Sequence, residues 1–177
     1  MKKSRWIVIV LSALLIMIVG TSAVFIIDQK ASSPSSNSQN QIKSQVPRYY
    51  LIAIDDKGRS GEMIGCGDSL VLVSSEATLT DNLVKASLEK LLSIKTQYYG
   101  ESGLYNALYQ SSVGFVNSSI SGDTVTVNLT GNFVLGGECD NPRVESQLEK
   151  TAAQAAGVSN ASIFVDGKAL RDVLSLK

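Results

Sequence analysis

The chain contains no histidine. That absence removes Ser-His-Asp and Cys-His nucleophile arrangements, histidine-based zinc sites and the usual general base at neutral pH. Only paired carboxylates or a Ser-Lys pair stay open to catalysis. Cysteine is almost as scarce: Cys66 and Cys139 are the only two, and no Cys-x-x-Cys spacing exists. A Gly-x-Ser-x-Gly elbow is also missing. Charge of one sign is nowhere concentrated. The 16 basic and 16 acidic residues balance, and no basic stripe or run appears, so the chain lacks the electrostatic footprint of a nucleic-acid partner.

What the chain has in abundance is one apolar run. Residues 6–27, from Trp6 to Ile27, carry no charge, and Lys2, Lys3 and Arg5 precede them. A helix needs about 20 apolar residues to cross the hydrocarbon of a bilayer, and this run suffices. Asp28 and Lys30 nearly cancel just after it, so the positive-inside rule keeps residues 1–5 cytoplasmic and exports the rest. A cleaved signal peptide is the competing reading, with Thr21-Ser22-Ala23 as a loose cleavage site. Val24-Phe25-Ile26-Ile27 continues the apolar run past that site, which suits an uncleaved anchor better. No cysteine lies near its end, which excludes a bacterial lipoprotein anchor. The expected location is therefore the bacterial cytoplasmic membrane, single-pass, with an extracytoplasmic domain.

Residues 28–47 are dominated by Ser, Asn and Gln and read as a flexible linker, since such a segment cannot bury enough apolar surface to offset ordering entropy. Residues 48–177 then make one domain. Tyr49 to Ile54 predicts a strand stopped by the turn Asp55-Asp56-Lys57-Gly58. Ser69 to Ser74 predicts another. Val84, Leu88, Leu91 and Leu92 recur at helical spacing, which predicts an amphipathic helix over 81–95. Residues 98–109 read as a Gly- and Tyr-bearing connection with one helical turn at Leu104 to Tyr109. Val113 to Ile120, the turn Ser121-Gly122-Asp123 and Thr124 to Thr130 predict a hairpin. In its second arm Val125, Val127 and Leu129 alternate with Thr124, Thr126 and Asn128, as in a half-buried strand. Asn141-Pro142 predicts a helix start, Val144, Leu148, Ala152 and Ala155 its apolar stripe, and Gly157 its end. Ser162 to Val165 closes the series. The order β-β-α-β-β-α-β predicts an α+β domain, a mostly antiparallel sheet with two main helices on one face.

Two cysteines in an exported domain favour a disulfide between Cys66 and Cys139 over a metal or redox pair, since two distant thiols without histidine make a poor metal site. Ser87 and Lys90 match Ser-x-x-Lys by spacing, but mid-helix they read as exposed positions beside the Leu88 and Leu91 stripe. Asp55-Asp56 reads as turn chemistry. Glu138 and Asp140 flank a helix N-terminus, where the dipole favours carboxylates. Asn117, Asn128 and Asn160 head glycosylation-type triplets that are read as incidental. Tyr98, Tyr99, Tyr105 and Tyr109 crowd one connecting segment. They are candidates for a ligand-stacking surface, against the plainer reading that they cap the helix layer of the core. No cofactor and no metal site is expected.

The motifs recur in a known order. Tyr50-Leu-Ile-Ala-Ile54 leads, followed by Gly65-Cys66 before a strand and by the helix Val84-Lys-Ala-Ser-Leu-Glu-Lys-Leu-Leu92. Then come Gly122-Asp-Thr-Val-Thr-Val-Asn-Leu-Thr-Gly-Asn-Phe133, Gly136-Gly137-Glu138-Cys139 before a helix, and Ile163-Phe-Val-Asp-Gly167. In this order and spacing, residues 48–177 resemble the GerMN domain of sporulation and spore-germination proteins. Two departures are Asn128, where the family usually has aspartate, and Val73-Ser74-Ser75, which lacks an arginine often found there. The family has no established catalytic residues to carry over. The resemblance implies a non-enzymatic, protein-interaction or wall-associated role in the bacterial envelope, with envelope proteins or peptidoglycan as partners and self-association left open. The anchor reading has a direct check. The full-length protein should stay with membranes through high-salt or carbonate washing, whereas a soluble form beginning at Val24 would establish cleavage.

Overall fold

A computed structural model of the chain describes residues 42–175. The expected cytoplasmic tail, the apolar run 6–27 and the linker up to residue 41 lie outside these residues. Among the described residues no helix is long and apolar enough to cross a membrane.

The elements are β1 (Lys43–Gln45), β2 (Arg48–Ala53), β3 (Glu62–Met63), β4 (Ser69–Ser74), β5 (Thr78–Thr80) and α1 (Leu83–Ser93). After them come β6 (Tyr98–Tyr99), β7 (Leu104–Tyr105), β8 (Ser112–Ser121), β9 (Thr124–Asn132) and α2 (Asp140–Ala156). The chain continues through β10 (Asn160–Val165), β11 (Lys168–Ala169) and the short α3 (Leu170–Leu174). The expected β-β-α-β-β-α-β order is present as β2-β4-α1-β8-β9-α2-β10. The shorter strands fall between these, and the stretch read as linker ends in β1, which pairs with β5.

The fold is α+β with mostly antiparallel pairing, but the strands do not form one sheet. They form a β1-β5 ribbon, a sheet in the order β11-β10-β9-β8 and a sheet in the order β3-β4-β2-β7-β6. β9 and β10 pair in parallel, which a hairpin cannot achieve; α2 supplies the long crossover that parallel neighbours need. α1 and α2 pack on each other, and both touch the two larger sheets: α1 meets β8 and β2, α2 meets β2, β9 and β10. The helix pair therefore joins two sheets and does not simply cover one face of a single sheet.

Local chemistry accounts for the element ends. Asn82 caps α1, its Oδ1 accepting from the Lys85 backbone N–H at 2.9 Å. α2 begins at Asp140, just before the Asn141-Pro142 start expected, because turn bonds from Asp140 to Gly137 and from Asn141 to Glu138 run straight into the helix. Pro142 then sits in the first turn, where its missing N–H is no loss. Gly157 ends α2 in the left-handed conformation, φ 69°, and its N–H reaches the Ala153 and Gln154 carbonyls. Gly131 is required where β9 pairs with the start of β8, since a Cβ there would lie 2.0 Å from the Ser112 carbonyl oxygen.

One continuous core results. Val84, Leu88, Leu91 and Leu92 of α1, Val144, Leu148 and Ala152 of α2, and Val125, Val127 and Leu129 of β9 are all buried in it. The alternation seen in β9 is thus a true inside–outside pattern, each buried aliphatic contributing roughly 1.5–3 kcal/mol.

β2 poses the harder problem. It pairs with β4 over its full length, but with β7 at one position only, Ile52 opposite Tyr105. Polar helix residues fill the gap. The Arg48 N–H donates to Ser87 Oγ at 3.2 Å and the Tyr50 N–H to Thr151 Oγ1 at 3.0 Å. Gln147 Nε2 donates to the Tyr50 carbonyl at 2.9 Å, while its Oε1 accepts from the Ala107 N–H at 3.0 Å. Ser87, Gln147 and Thr151 are all fully buried. The expectation that Ser87 is an exposed position is therefore corrected: Lys90 faces solvent, whereas Ser87 turns inward to serve a strand edge. Gln147→Ala should cost roughly 2–4 kcal/mol in denaturant unfolding, because it leaves a buried carbonyl and a buried N–H without partners. A loss under about 1 kcal/mol would mean water takes its place.

Candidate functional site

The four tyrosines expected in one surface divide into two groups. β6 and β7 form a small hairpin with Tyr98 opposite Tyr105 and Tyr99 opposite Leu104, in place of the connection with a helical turn at Leu104. Cross-strand partners share a face, so the Tyr98 and Tyr105 rings meet edge-to-face with centroids 6.0 Å apart. Tyr109, in the turn beyond β7, adds a second edge-to-face contact to Tyr105 at 6.3 Å. Tyr99 points to the opposite face and packs on buried Tyr49, 6.3 Å away. Tyr98, Tyr105 and Tyr109 are brought together; Tyr99 belongs to the core side.

The three rings border a cleft of about 320 Å³ that also involves Ile54, the Gly136-Gly137 backbone and Arg143. Its floor is a charged network that sequence reasoning had missed in Asp68 and Arg143. Arg143 Nε donates to Asp68 Oδ2 at 2.6 Å and Nη1 to Asp140 Oδ1 at 3.2 Å. The guanidinium carbon lies 5.2 Å from the centroid of the Tyr105 ring, in cation–π range. Tyr105 Oη donates to the Asp140 carboxylate at 3.0 Å, and the Gly136 N–H to its Oδ2 at 2.6 Å. The Asp55 N–H donates to Asp68 Oδ1 at 2.8 Å. Both aspartates are almost fully buried, Asp68 at 1% exposure and Asp140 at 2%. Such carboxylates stay only where paired and hydrogen-bonded, and here each is.

The electrostatics follow from that pairing. Burial and, behind it, the Asp140 charge push the Tyr105 phenol well above its ordinary value, which keeps it a donor. For Arg143, burial works against the cation, but hydrogen bonds and charges from Asp68 and Asp140 prevail and hold the guanidinium above its usual value. Both carboxylates and the Tyr105 hydroxyl have partners. The arrangement can hold a shape and present aromatic edges to a ligand. Among the described residues no group of three or more His, Cys, Asp or Glu side chains could hold a metal ion.

Beside the cleft, Cys66 and Cys139 form the expected disulfide, with Cα atoms 5.9 Å apart and a sequence separation of 73. It fastens the Gly65–Gly67 turn to the start of α2, next to the ion pair from Asp68 to Arg143. Cys66 takes up a left-handed backbone, φ 62°, between two glycines. The other flagged carboxylates are local. Asp56 accepts from the Ser60 N–H at 2.6 Å and the Ser69 hydroxyl at 2.7 Å. Those bonds, led by the Ser69 hydroxyl, hold its carboxyl below the usual range. Asn117 and Asn128 bond to each other across β8 and β9 at 2.8 Å.

A family model for sporulation and spore germination, Germane, matches residues 48–171. The chain belongs to the Germane family. The match spans both larger sheets and both main helices, and includes the cysteine pair and the whole charged floor. No curated protein and no solved structure gave a significant match. In this chain one covalent and one ionic bond meet beside the tyrosine cleft. Asp68 and Arg143 left no local signal, as the residues lie 75 positions apart. Asp140 left one: a carboxylate at a helix start, three residues before an arginine.

Closing so long a loop stabilises by roughly 4 kcal/mol in the loop-entropy picture. Cys139→Ser should lower the melting temperature of residues 42–177 by roughly 10–20 °C under oxidising conditions. Reductant should do the same to the wild type and little more to the variant. Two free thiols in natively produced protein would contradict the pairing.

Proposed function

We propose that the chain is a non-enzymatic interaction module on the outer face of a bacterial cytoplasmic membrane, held there by residues 6–27 and working in the sporulation or germination envelope. Membership of the Germane family supports the biological setting. The apolar run with its upstream positive charges supports the location, and the disulfide suits an oxidising compartment. The observation that carries the role is the tyrosine cleft. Its floor is locked by Arg143, Asp68 and Asp140, while the Tyr98 ring stands half exposed at its rim. A rigid site edged by aromatic rings is what a protein partner's side chain docks into, because tyrosine offers a large amphipathic surface at low entropic cost.

A second reading, binding of wall glycan, draws on the same Tyr98 ring as a stacking surface for sugars. One experiment separates the two. A photo-crosslinking phenylalanine analogue in place of Tyr98, in the full chain in cells, should yield a discrete adduct with an envelope protein. Tyr98→Ala should abolish co-purification of that protein. Adducts confined to peptidoglycan fragments would instead establish the glycan reading, and no adduct of either kind would remove the cleft from the function.

A further inference from the structure

The four-stranded sheet ends on β8. At ten residues β8 is the longest strand among those described, and it pairs with β9 alone. The outer edges of β3, β6 and β11 are two residues long. Glu62 on β3 is moreover tied to Lys150. Short length and charge are the ordinary guards of an open edge, along with proline and bulges. β8 has no charged residue and no proline: its sequence is Ser-Val-Gly-Phe-Val-Asn-Ser-Ser-Ile-Ser. A single irregularity between Phe115 and Asn117 interrupts the register. Val116 and Ile120 stand 54% and 55% exposed on this strand. Residues 117 and 119–121 at its far end are exposed as well.

We propose that β8 is a self-association edge, pairing antiparallel with β8 of a second copy so that two four-stranded sheets become one across a twofold axis. The strand's own composition selects this occupant. In a twofold pairing each residue faces a residue of the same strand, so any charge near the axis would oppose its own copy, and β8 carries none. Ser and Asn side chains can both donate and accept, so they match themselves. Pairing also gives the outward N–H and C=O groups of β8 partners and covers the exposed Val116 and Ile120. It goes beyond the interaction-module reading and does not use the tyrosine cleft.

The test uses the full chain in membranes. Asn117→Cys, Ser119→Cys and Ser121→Cys are made one at a time and oxidised, with Cys66 and Cys139 first verified as paired by mass spectrometry. At least one should give a disulfide-linked dimer on a non-reducing gel. Lys168→Cys, on β11 at the opposite edge, should give none. Adding Ser119→Lys to a cross-linking Asn117→Cys or Ser121→Cys variant should abolish the product, while the thermal unfolding of the protein stays unchanged. Failure of all three positions, equal cross-linking from Lys168→Cys, persistence of the dimer with Ser119→Lys, or a product with another protein would each overturn self-pairing. None of these outcomes touches Tyr98, so the cleft reading stands or falls separately.

Discussion

The hydrogen bonds of Gln147 close the part of the β2 edge that no strand covers, and the placement of α2 against the five-stranded sheet depends on them. β2 runs through the middle of the five-stranded sheet, yet a strand partner covers its second edge at one position only. An open edge inside a protein leaves N–H and C=O groups with neither water nor strand. Gln147 meets the need from α2 with a side chain that both donates and accepts. It bonds the Tyr50 carbonyl, the Asn106 side chain and the Ala107 N–H together. Thr151 and Ser87 extend the same service along β2. The helices are thereby held at one height and rotation against the sheet. Apolar packing alone would leave that placement loosely specified.

The second fixed point lies at the start of α2. There the disulfide and the Asp68–Arg143 ion pair tie the first turn of the helix to the loop before β4. A helix held at its start and its middle by directional bonds positions what its first turn carries, and that is Asp140 against the Tyr105 hydroxyl and Arg143 over the Tyr105 ring. The tyrosine cleft is consequently a by-product of how α2 is anchored.

The division between legible and illegible features follows from sequence distance. β9 is readable because Val125, Val127 and Leu129 alternate with polar residues in a single short window. α1 and α2 are readable from their aliphatic stripes, and the cysteine pair from its scarcity and compartment. β6 and β7 are not, since strands of two residues carry no period. Ser87 reads as a solvent position beside its stripe and Gln147 carries no signal of its own; only the missing neighbour of β2 accounts for their burial, and that neighbour is a matter of topology. The split into separate sheets is hidden for the same reason, because element order is compatible with several pairings. Three of the four flagged tyrosines share a face, but the hairpin that alternates them was needed to show that Tyr99 is not among them.

The β1-β5 ribbon has a mechanical consequence. Any tension on the N-terminal side of the domain enters through β1, which holds to β5 by three residue pairs. Two residues later the chain is β2, gripped by six pairs with β4 and by the side chains of both helices. Fewer residue pairs therefore hold β1 to β5 than hold β2 to β4. On the path from the N-terminal side into the core, the weaker strand pairing thus comes before the stronger one.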